Sequence, residues 1–298
     1  MKKIIAIFAI FLVIAASGCL GRGGDQIIFT RGYGLEITNF SSPVGQVYSD
    51  QTAHVTMIVE NHGGSKIDKT KGLALIILPG DWTVTQNKNQ PFKKDLHFED
   101  EVRGTIAGAE YFTWSIKAPS LVSGQTRPDS ITGRVFYDYT TTAIGNIWVY
   151  PESEAASERD KGNTMNTLTY KASRGPVAIS ISVVPDPVTV YSDGEVFSLN
   201  IGLTNVGGGV VYKDGEVTSS SYDVANIRNQ FTLDVDIAGL TVDKSCLNNL
   251  EFFGDTATTI CDVTVADAPP TKQSYPITVT ADYGYYTDKI IQMNIVGR

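Results

Sequence analysis

Residues 47–64 read Val47-Tyr48-Ser49-Asp50-Gln51-Thr52-Ala53-His54-Val55-Thr56-Met57-Ile58-Val59-Glu60-Asn61-His62-Gly63-Gly64, and residues 190–208 repeat the pattern with one inserted residue. In each copy apolar residues alternate with polar ones, which predicts a half-buried strand. Asn and paired Gly end each strand, because both residue types tolerate positive φ. The chain therefore holds two copies of one β unit. The matching apolar positions are Ala53, Val55, Met57 and Val59 in the first copy and Phe197, Leu199, Ile201 and Leu203 in the second.

The ends of the two copies match as well. Ile131–Tyr139 aligns with Ile277–Tyr285, and alternation is visible in both segments. Each segment leads through Thr-rich residues into a last strand, at Ile144–Tyr150 and Lys289–Val296. We therefore expect a turn before the last strand of each copy.

Further strand-like runs lie between these landmarks and are separated by Gly, Pro, Asn and Asp. Short strands at this spacing are typical of an antiparallel sandwich of the immunoglobulin type. The predicted fold is all-β, with two tandem antiparallel immunoglobulin-like β-sandwiches after a cleaved lipoprotein signal peptide. The runs are Leu73–Leu78, Tyr111–Lys117, Phe231–Ile237 and Ile260–Val265, with Thr167–Ser173 as a candidate extra strand.

The length of 298 residues suits two domains of ordinary size. We place the first sandwich at 28–173 and the second at 174–298. The first includes a charged insert at about 151–166, in which Pro151–Lys161 is expected to form either a short helix or a loop.

The N-terminus has the layout of a secretory signal. Lys2 and Lys3 precede the apolar run Ile4–Ala16, and the small residues Ser17-Gly18 stand before Cys19. The run is shorter than the roughly 20 apolar residues that a membrane-spanning helix needs. This layout predicts a signal peptide at 1–18 and a lipidated tether at 19–27.

Cys19 is the predicted lipid anchor, because it follows a small-residue cleavage site at the right distance from the apolar run. Two alternatives stay open at this point. One is an ordinary signal peptide with Cys19 incidental, and the other is an uncleaved anchor helix. Lipidation places the mature chain on the extracellular face of the cell membrane.

Charge excludes one class of partner. The net charge is −8, and it becomes −10 without Lys2 and Lys3, since 22 basic residues then face 32 acidic ones. An acidic chain without a basic stripe is a poor ligand for nucleic acid. Attraction to anionic headgroups is equally disfavoured, so membrane association is expected to come from the lipid.

The three cysteines become an even number once Cys19 is set aside. Cys246 and Cys261 are then expected to form a disulfide, as suits an oxidising exterior. The alternative is a pair of free buried thiols. A metal site would need more ligands at close spacing, and none accompany these two cysteines.

One resemblance follows from the quoted strand ends. The Val-x-Asn-x-Gly-Gly ending at Val59–Gly64 resembles the CARDB and related S-layer-type adhesion repeats of archaeal surface proteins. The Ser17–Gly21 junction is also similar to archaeal lipoprotein signals. The resemblance implies an envelope, adhesion or scaffold role and carries over no catalytic residue. The second copy departs slightly, because Gly207–Gly209 lengthens its turn.

Catalytic motifs are missing from the sequence. His54, His62 and His97 show neither zinc-binding spacing nor a neighbouring nucleophile, and no Gly-x-Ser-x-Gly elbow occurs. A triad assembled from distant segments is the alternative that stays open. The chain is predicted not to be an enzyme, with no catalytic residue and no cofactor. His54 is expected to face solvent.

The carboxylates allow one metal hypothesis. Asp234 and Asp236 share the polar face of one strand, and Asp186, Asp193 and Glu195 lie near the expected junction. Calcium takes six to eight oxygens from several segments, so this group could stiffen the junction. A solvated acidic face is the favoured interpretation, and no metal site is predicted.

Tyrosine is abundant, at 14 residues. Alternation sends Tyr283 and Tyr285 inward and Tyr286 outward, which indicates sandwich core more than an aromatic platform for sugars.

The predicted function is a structural, adhesion or interaction module that binds another surface protein or the envelope layer through an edge strand or an end loop. The alternative is an extracellular ligand- or carbohydrate-binding accessory of a transporter.

Overall fold

The computed structural model of the chain describes residues 34–298 except 101 and 219. The predicted signal peptide, tether and Cys19 lie outside the described residues. Regular structure in the described part is almost entirely β, and the sheets are mostly antiparallel. The prediction of an all-β sandwich fold is therefore confirmed.

Seventeen strands form within the described residues, and every run predicted from the sequence overlaps one of them and extends at most one residue beyond either end. The strands are β1 (Leu35–Ser41), β2 (Gln46–Tyr48), β3 (Thr52–Asn61), β4 (Gly72–Ile77), β5 (Thr83–Val84), β6 (Asn89–Pro91), β7 (Ala109–Lys117), β8 (Thr126–Pro151), β9 (Leu168–Ala172), β10 (Val177–Val184), β11 (Val188–Val190), β12 (Glu195–Asn205), β13 (Val210–Tyr212), β14 (Thr232–Ile237), β15 (Thr241–Val242), β16 (Thr256–Val265) and β17 (Gln273–Val296).

Helical structure is limited to short segments in the described part. Helix α1 (Glu152–Asp160) lies in the charged insert, and its Ala155 is buried. The acidic residues of its first turn interact favourably with the positive end of the helix dipole. This settles the helix-or-loop alternative in favour of a helix. Single 3₁₀ turns lie at Lys69–Lys71, Ala225–Ile227 and Lys244–Leu247.

Two four-stranded sheets share one construction. Outer sheet 1 has the order β1-β3-β7-β5, and outer sheet 2 has the order β10-β12-β16-β15. The alternation predicted for β3 and β12 is confirmed, since the four apolar residues named in each strand are buried and their neighbours are not. The periodicity of two therefore decides which face of each outer sheet meets the core.

The central sheet has nine strands. Five of them follow the order β13-β17-β8-β4-β6, and β2, β9, β11 and β14 pair with its two long strands. All 24 residues of β17 pair antiparallel with β8 without a bulge. We call this pair the long ribbon. Outer sheet 1 packs against one end of the ribbon, and outer sheet 2 packs against the other.

The ribbon makes each sandwich depend on both copies. The first sandwich takes β4, β6 and the first part of β8 from its own copy, but it takes the last part of β17 from the second copy. The second sandwich takes β14 and the first part of β17, and it is completed by the last part of β8. In keeping with this exchange, β2 pairs with the end of β17, and β11 pairs with the end of β8.

The turn predicted before each last strand is wrong. Residues 140–142 lie within β8, and residues 286–288 lie within β17. In the first copy three consecutive threonines are β-branched and favour extended backbone, whereas a tight turn needs Gly, Asn, Asp or Pro at its centre. In the second copy Asp288 is paired across the ribbon with Arg134. Thr141 is fully buried, and its Oγ1 lies 2.8 Å from the Tyr283 hydroxyl.

A local twofold relation follows from this pairing. The alignment of the copies matches Tyr137 with Tyr283 and Tyr139 with Tyr285, whereas the ribbon pairs Tyr137 with Tyr285 and Tyr139 with Tyr283. Both relations hold together only if a pseudo-twofold axis passes through the pair formed by residues 138 and 284, which lie opposite each other.

The segment 210–227 covers the outer face of the central sheet and forms a second small core. Tyr286 does point away from the main core, as predicted, but it is only 4% exposed because this segment lies over it. Leu73 and Leu75 of β4 are buried in the same cluster. The second copy therefore packs against the first on both faces of the central sheet.

The described residues group into one compact unit. The predicted boundary between 28–173 and 174–298 stays a prediction. The central sheet contains strands of both copies, so the structure does not divide at this point. The same holds for the description of the copies as two separate immunoglobulin-like domains.

Candidate functional site

The Asn-Gly-Gly turn of the first copy is held by a buried tyrosine. The Tyr139 hydroxyl accepts hydrogen bonds from the N–H groups of Gly64 at 2.7 Å and Ser65 at 3.1 Å. It donates to the Arg174 carbonyl at 2.7 Å. Asn61 is fully buried and donates from Nδ2 to the Ser65 carbonyl at 2.9 Å.

The second copy has a similar arrangement, but its tyrosine donates to the motif asparagine instead of to a backbone carbonyl. The Tyr285 hydroxyl accepts from the Gly209 N–H at 2.7 Å and lies 2.8 Å from Asn205 Oδ1, to which it donates. Asn205 in turn donates from Nδ2 to the Gly209 carbonyl at 2.9 Å. The motif that carries the family resemblance therefore has a structural role, because its asparagine side chains form their hydrogen bonds within the turn itself.

The reason for glycine differs from the predicted one in the first copy. Gly208 has a φ of +71°, as expected, but neither Gly63 nor Gly64 lies in the positive-φ region. A Cβ at Gly63 would overlap the Tyr139 hydroxyl. Close approach of the tyrosine thus explains this glycine.

Burial keeps these phenols neutral. Desolvation raises the pKa of Tyr285 to about 12 and also raises the pKa of Tyr139. Both hydroxyls therefore keep their proton, and with it their donor role, across the physiological range.

Cys246 and Cys261 form the predicted disulfide, with their Cα atoms 5.3 Å apart. Cys261 is fully buried on β16, and Cys246 lies in the 3₁₀ turn after β15. The bond closes a loop with a sequence separation of 15 residues. By unfolded-state entropy such a loop contributes about 3 kcal/mol to stability.

Within the described residues, no histidine lies next to both a nucleophile and a carboxylate as a catalytic triad requires. His54 is exposed, as predicted, and its Nδ1 lies 3.0 Å from the Ser115 hydroxyl on the open face of outer sheet 1. No carboxylate bonds to this histidine in the described part. His62 lies 3.2 Å from a Glu60 oxygen, and His97 is exposed.

The carboxylates of the calcium hypothesis have other partners. Asp234 forms a salt bridge with Lys244 at 2.8 Å. Asp193 accepts from the Ala268 N–H at 2.7 Å. The described residues contain no group of three or more His, Cys, Asp or Glu side chains that could hold a metal ion.

Two loops expose large apolar side chains at equivalent places. Val102 and Ile106, in the loop before β7, are 97% and 84% exposed, and Phe253, in the turn before β16, is 83% exposed. Each loop leads to a carbonyl, Gly108 or Asp255, that accepts from the N–H of the motif asparagine of its copy. We call residues 102–106 and 251–255 the apolar loops.

The long sheet edges are less available for contact. At β1, the Lys289 ammonium donates to the carbonyls of Ile37 and Thr38 at 2.9 and 3.1 Å. At β10, the Ile181 N–H donates to the Tyr170 hydroxyl of β9 at 3.1 Å. Covering an edge in this way prevents a foreign strand from pairing with it, so the end loops are the better candidates.

A small cleft lies beside the segment 210–227, with a volume of about 210 Å³. Beneath this segment Asp138 accepts from the Gly215 N–H at 3.1 Å. Burial raises the pKa of Asp138, an effect that this hydrogen bond and Lys71 offset in part. We call this small cleft the lysine cleft. The residues that line it include Lys69, Lys71, Leu73, Phe136, Tyr212 and Val217.

Sequence reasoning missed both the apolar loops and the lysine cleft. Val102, Ile106 and Phe253 stand as single apolar residues in polar surroundings, which is ordinary in a sequence. Only the equivalence of the two loops in the fold draws attention to them. The cleft joins residues more than 140 positions apart, so no local pattern could reveal it.

No helix among residues 34–298, apart from the two omitted positions, combines the length and apolar character needed to cross a bilayer. No family model matches the sequence, and no curated protein matches it.

Solved structures give weak likenesses. The secreted serine protease VesC from Vibrio cholerae is 10% identical over 87% of this chain, at a TM-score of 0.21, and the chain spans 50% of its length. The CupB6 tip adhesin from Pseudomonas aeruginosa is 10% identical, covering 89% of this chain and 96% of its own, at a TM-score of 0.16. The Enterococcus faecalis MSCRAMM ACE is 7% identical, covering 88% and 95%, at 0.17. At these scores none carries an argument about function.

Proposed function

We propose that the chain is a lipid-anchored protein of the extracellular face of the cell membrane. In this proposal it acts without catalysis, as a structural or adhesion module that binds another surface protein or the envelope layer. The polar atoms of the motif asparagines form hydrogen bonds within their own turns. The observation that carries the proposal is the pair of apolar loops.

Val102, Ile106 and Phe253 leave most of their apolar surface in water, where single residues contribute nothing to folding. Their occurrence at equivalent ends of two sandwiches favours a contact surface, since burying such residues supplies binding energy. The covered edges of β1 and β10 favour the same place.

The test is chemical crosslinking on intact cells, followed by pull-down of the chain. The variant Val102→Ser/Ile106→Ser/Phe253→Ser should fold normally and lose at least about tenfold of the captured partner, as about 1.4 kcal/mol implies. Val122→Ser, at a residue that is 70% exposed elsewhere, is the matched control. Equal capture by the triple variant and the control would refute the role of these loops.

The anchor has a separate test. Mass spectrometry of the native protein should find lipid on Cys19, and Cys19→Ser should release the chain from the membrane fraction. An unlipidated native protein, or unchanged membrane retention of the variant, would overturn this part of the proposal.

The lysine cleft favours a second candidate, an extracellular binding protein for a small acidic ligand such as an acidic sugar. Its volume of about 210 Å³ is below the range of most ligand pockets, which places it second. Calorimetric titration with glucuronate, with glucose as control, tests it. Binding of glucuronate that Lys71→Ala abolishes would establish this candidate, and heat signals equal to buffer would remove it.

A further inference from the structure

Each sandwich is completed by a strand that belongs to the other copy. Ile291, Met293 and Ile295 of β17 pack in the core beneath outer sheet 1, although they end the second copy. Ala143, Ile147 and Val149 of β8 are fully buried and lie at the corresponding place beneath outer sheet 2. We call residues up to 162 and residues 163–298 the two halves, so that β9 belongs to the second half. Neither half contains a whole sandwich in this arrangement.

The contacts that join the halves are extensive. All 24 residues of β17 pair with β8, and the pairs β2–β17 and β11–β8 also run between the two copies. Arg134 and Asp288 add a bidentate ion pair with two contacts of 2.7 Å. An interface built from shared sheet and shared core resembles that of an obligate dimer.

The covalent connection between the halves is slight by comparison. After α1, residues Lys161, Gly162, Asn163 and Thr164 are all exposed, and a Cβ at Gly162 would meet no neighbouring atom. The hydrogen bonds of Lys161, Gly162 and Asn163 run back to α1 only. An exposed polar turn of this kind is a preferred site of proteolysis.

We propose that reciprocal strand exchange, and not the connecting segment, holds the two halves together. Cleavage between Gly162 and Asn163 then leaves residues up to 162 and residues 163–298 bound as one particle. Where the proposed function also holds, only the first half carries the lipid. The second half would stay on the membrane after cleavage, through the exchanged strands alone.

The test uses the full chain in the Cys19→Ser background, so that its result does not depend on lipidation. A site for a sequence-specific protease is inserted between Gly162 and Asn163, and the chain is cut. Light scattering under native conditions should give the mass of the uncut chain, while a denaturing gel shows two fragments. Two separate particles at micromolar concentration would overturn the proposal.

A cysteine pair then reports the pairing itself. Ser130 and Gln292 lie opposite each other in the ribbon, with their side chains hydrogen-bonded at 2.8 Å. After oxidation, Ser130→Cys/Gln292→Cys in the cut chain should run as one band without reductant and as two bands with it. The control Ser130→Cys/Ser274→Cys places the second thiol at the other end of β17 and should give two bands throughout. Failure of the first pair to crosslink, or equal crosslinking of the control, would show that the strands are not exchanged in solution.

Discussion

At the scale of single residues, the motif asparagines and the tyrosines beneath them show how far sequence reasoning reaches. Asn61 and Asn205 were expected to end strands, and each does so. The tyrosines that support the two turns, Tyr139 and Tyr285, lie about 80 positions further along the chain, and of the two only Tyr285 bonds directly to its asparagine. No local pattern links an asparagine to a tyrosine at that distance, so the sequence predicts the turn but not its support.

Removing one hydroxyl should therefore destabilise the whole protein. Tyr139→Phe leaves the Ser65 N–H without its acceptor and the Gly64 N–H with the Arg174 carbonyl alone. Tyr285→Phe leaves the Gly209 N–H without its acceptor. A buried donor left unpaired costs about 1–3 kcal/mol. Chemical denaturation should show a loss of this size for each variant. Tyr111→Phe, at a residue that is 59% exposed, should change the free energy of unfolding very little.

Asp138 makes stability depend on pH. Its folded pKa is raised, mainly by burial, so the folded state holds the proton more tightly than the unfolded state. The charged carboxylate thus lowers stability as pH rises through and above the unfolded pKa. Asp138→Asn keeps an acceptor for the Gly215 N–H and should raise stability at pH 7, by less than about 1 kcal/mol because solvent reaches the group. Thermal unfolding at pH 7 and pH 3 should show this gain only at pH 7; a gain equal at both would contradict the assignment.

At the scale of elements, the strand exchange is what the sequence did not predict. Alternation identifies a strand and its buried face, but a strand pairs equally well with a neighbour in its own copy or in the other. The choice lies in residues 140–142, where three threonines favour extended backbone over a turn. Similar reasoning from the sequence did identify β9 as an extra strand, because its residues carry their own signal.

Lys289 protects an edge. Its ammonium donates hydrogen bonds to the carbonyls of Ile37 and Thr38 on β1. A lysine in this position prevents edge-to-edge pairing of strands. Lys289→Ala should leave the free energy of unfolding within about 1 kcal/mol but promote self-association. Light scattering over a concentration series should show this association. Lys94→Ala, at another exposed lysine, should stay at the mass of the native protein, and identical behaviour of the two variants would contradict the edge role.

At the scale of the whole molecule, composition and alternation predicted an all-β sandwich protein with the right buried faces. They did not predict that one core runs through both copies, because burial by the segment 210–227 and by the exchanged strands depends on contacts between distant residues. Tyr286 illustrates the difference. Its direction follows from alternation, while its cover comes from the segment 210–227, which precedes it by about 60 to 75 positions.

A shared core implies shared unfolding. Met57 is fully buried in the first sandwich, and Met57→Ala should cost about 2–5 kcal/mol. Native-state hydrogen exchange should show the slowest amides of β12 and β16, in the second sandwich, losing the same free energy of protection. Ile260→Ala, at an exposed residue on β16, should alter neither sandwich. Undiminished protection of β12 and β16 in Met57→Ala would mean that the sandwiches open separately.

The uninterrupted register of the ribbon also limits how the gene can change in length. Side chains along a strand alternate between two faces, so inserting or deleting one codon in β8 or β17 would invert every face beyond it. Such a change would reach both sandwiches at once, because each strand serves both. Length variation among descendants of this sequence should therefore collect in the apolar loops, the connecting turn and the segment 210–227. The two longest strands should accumulate substitutions only.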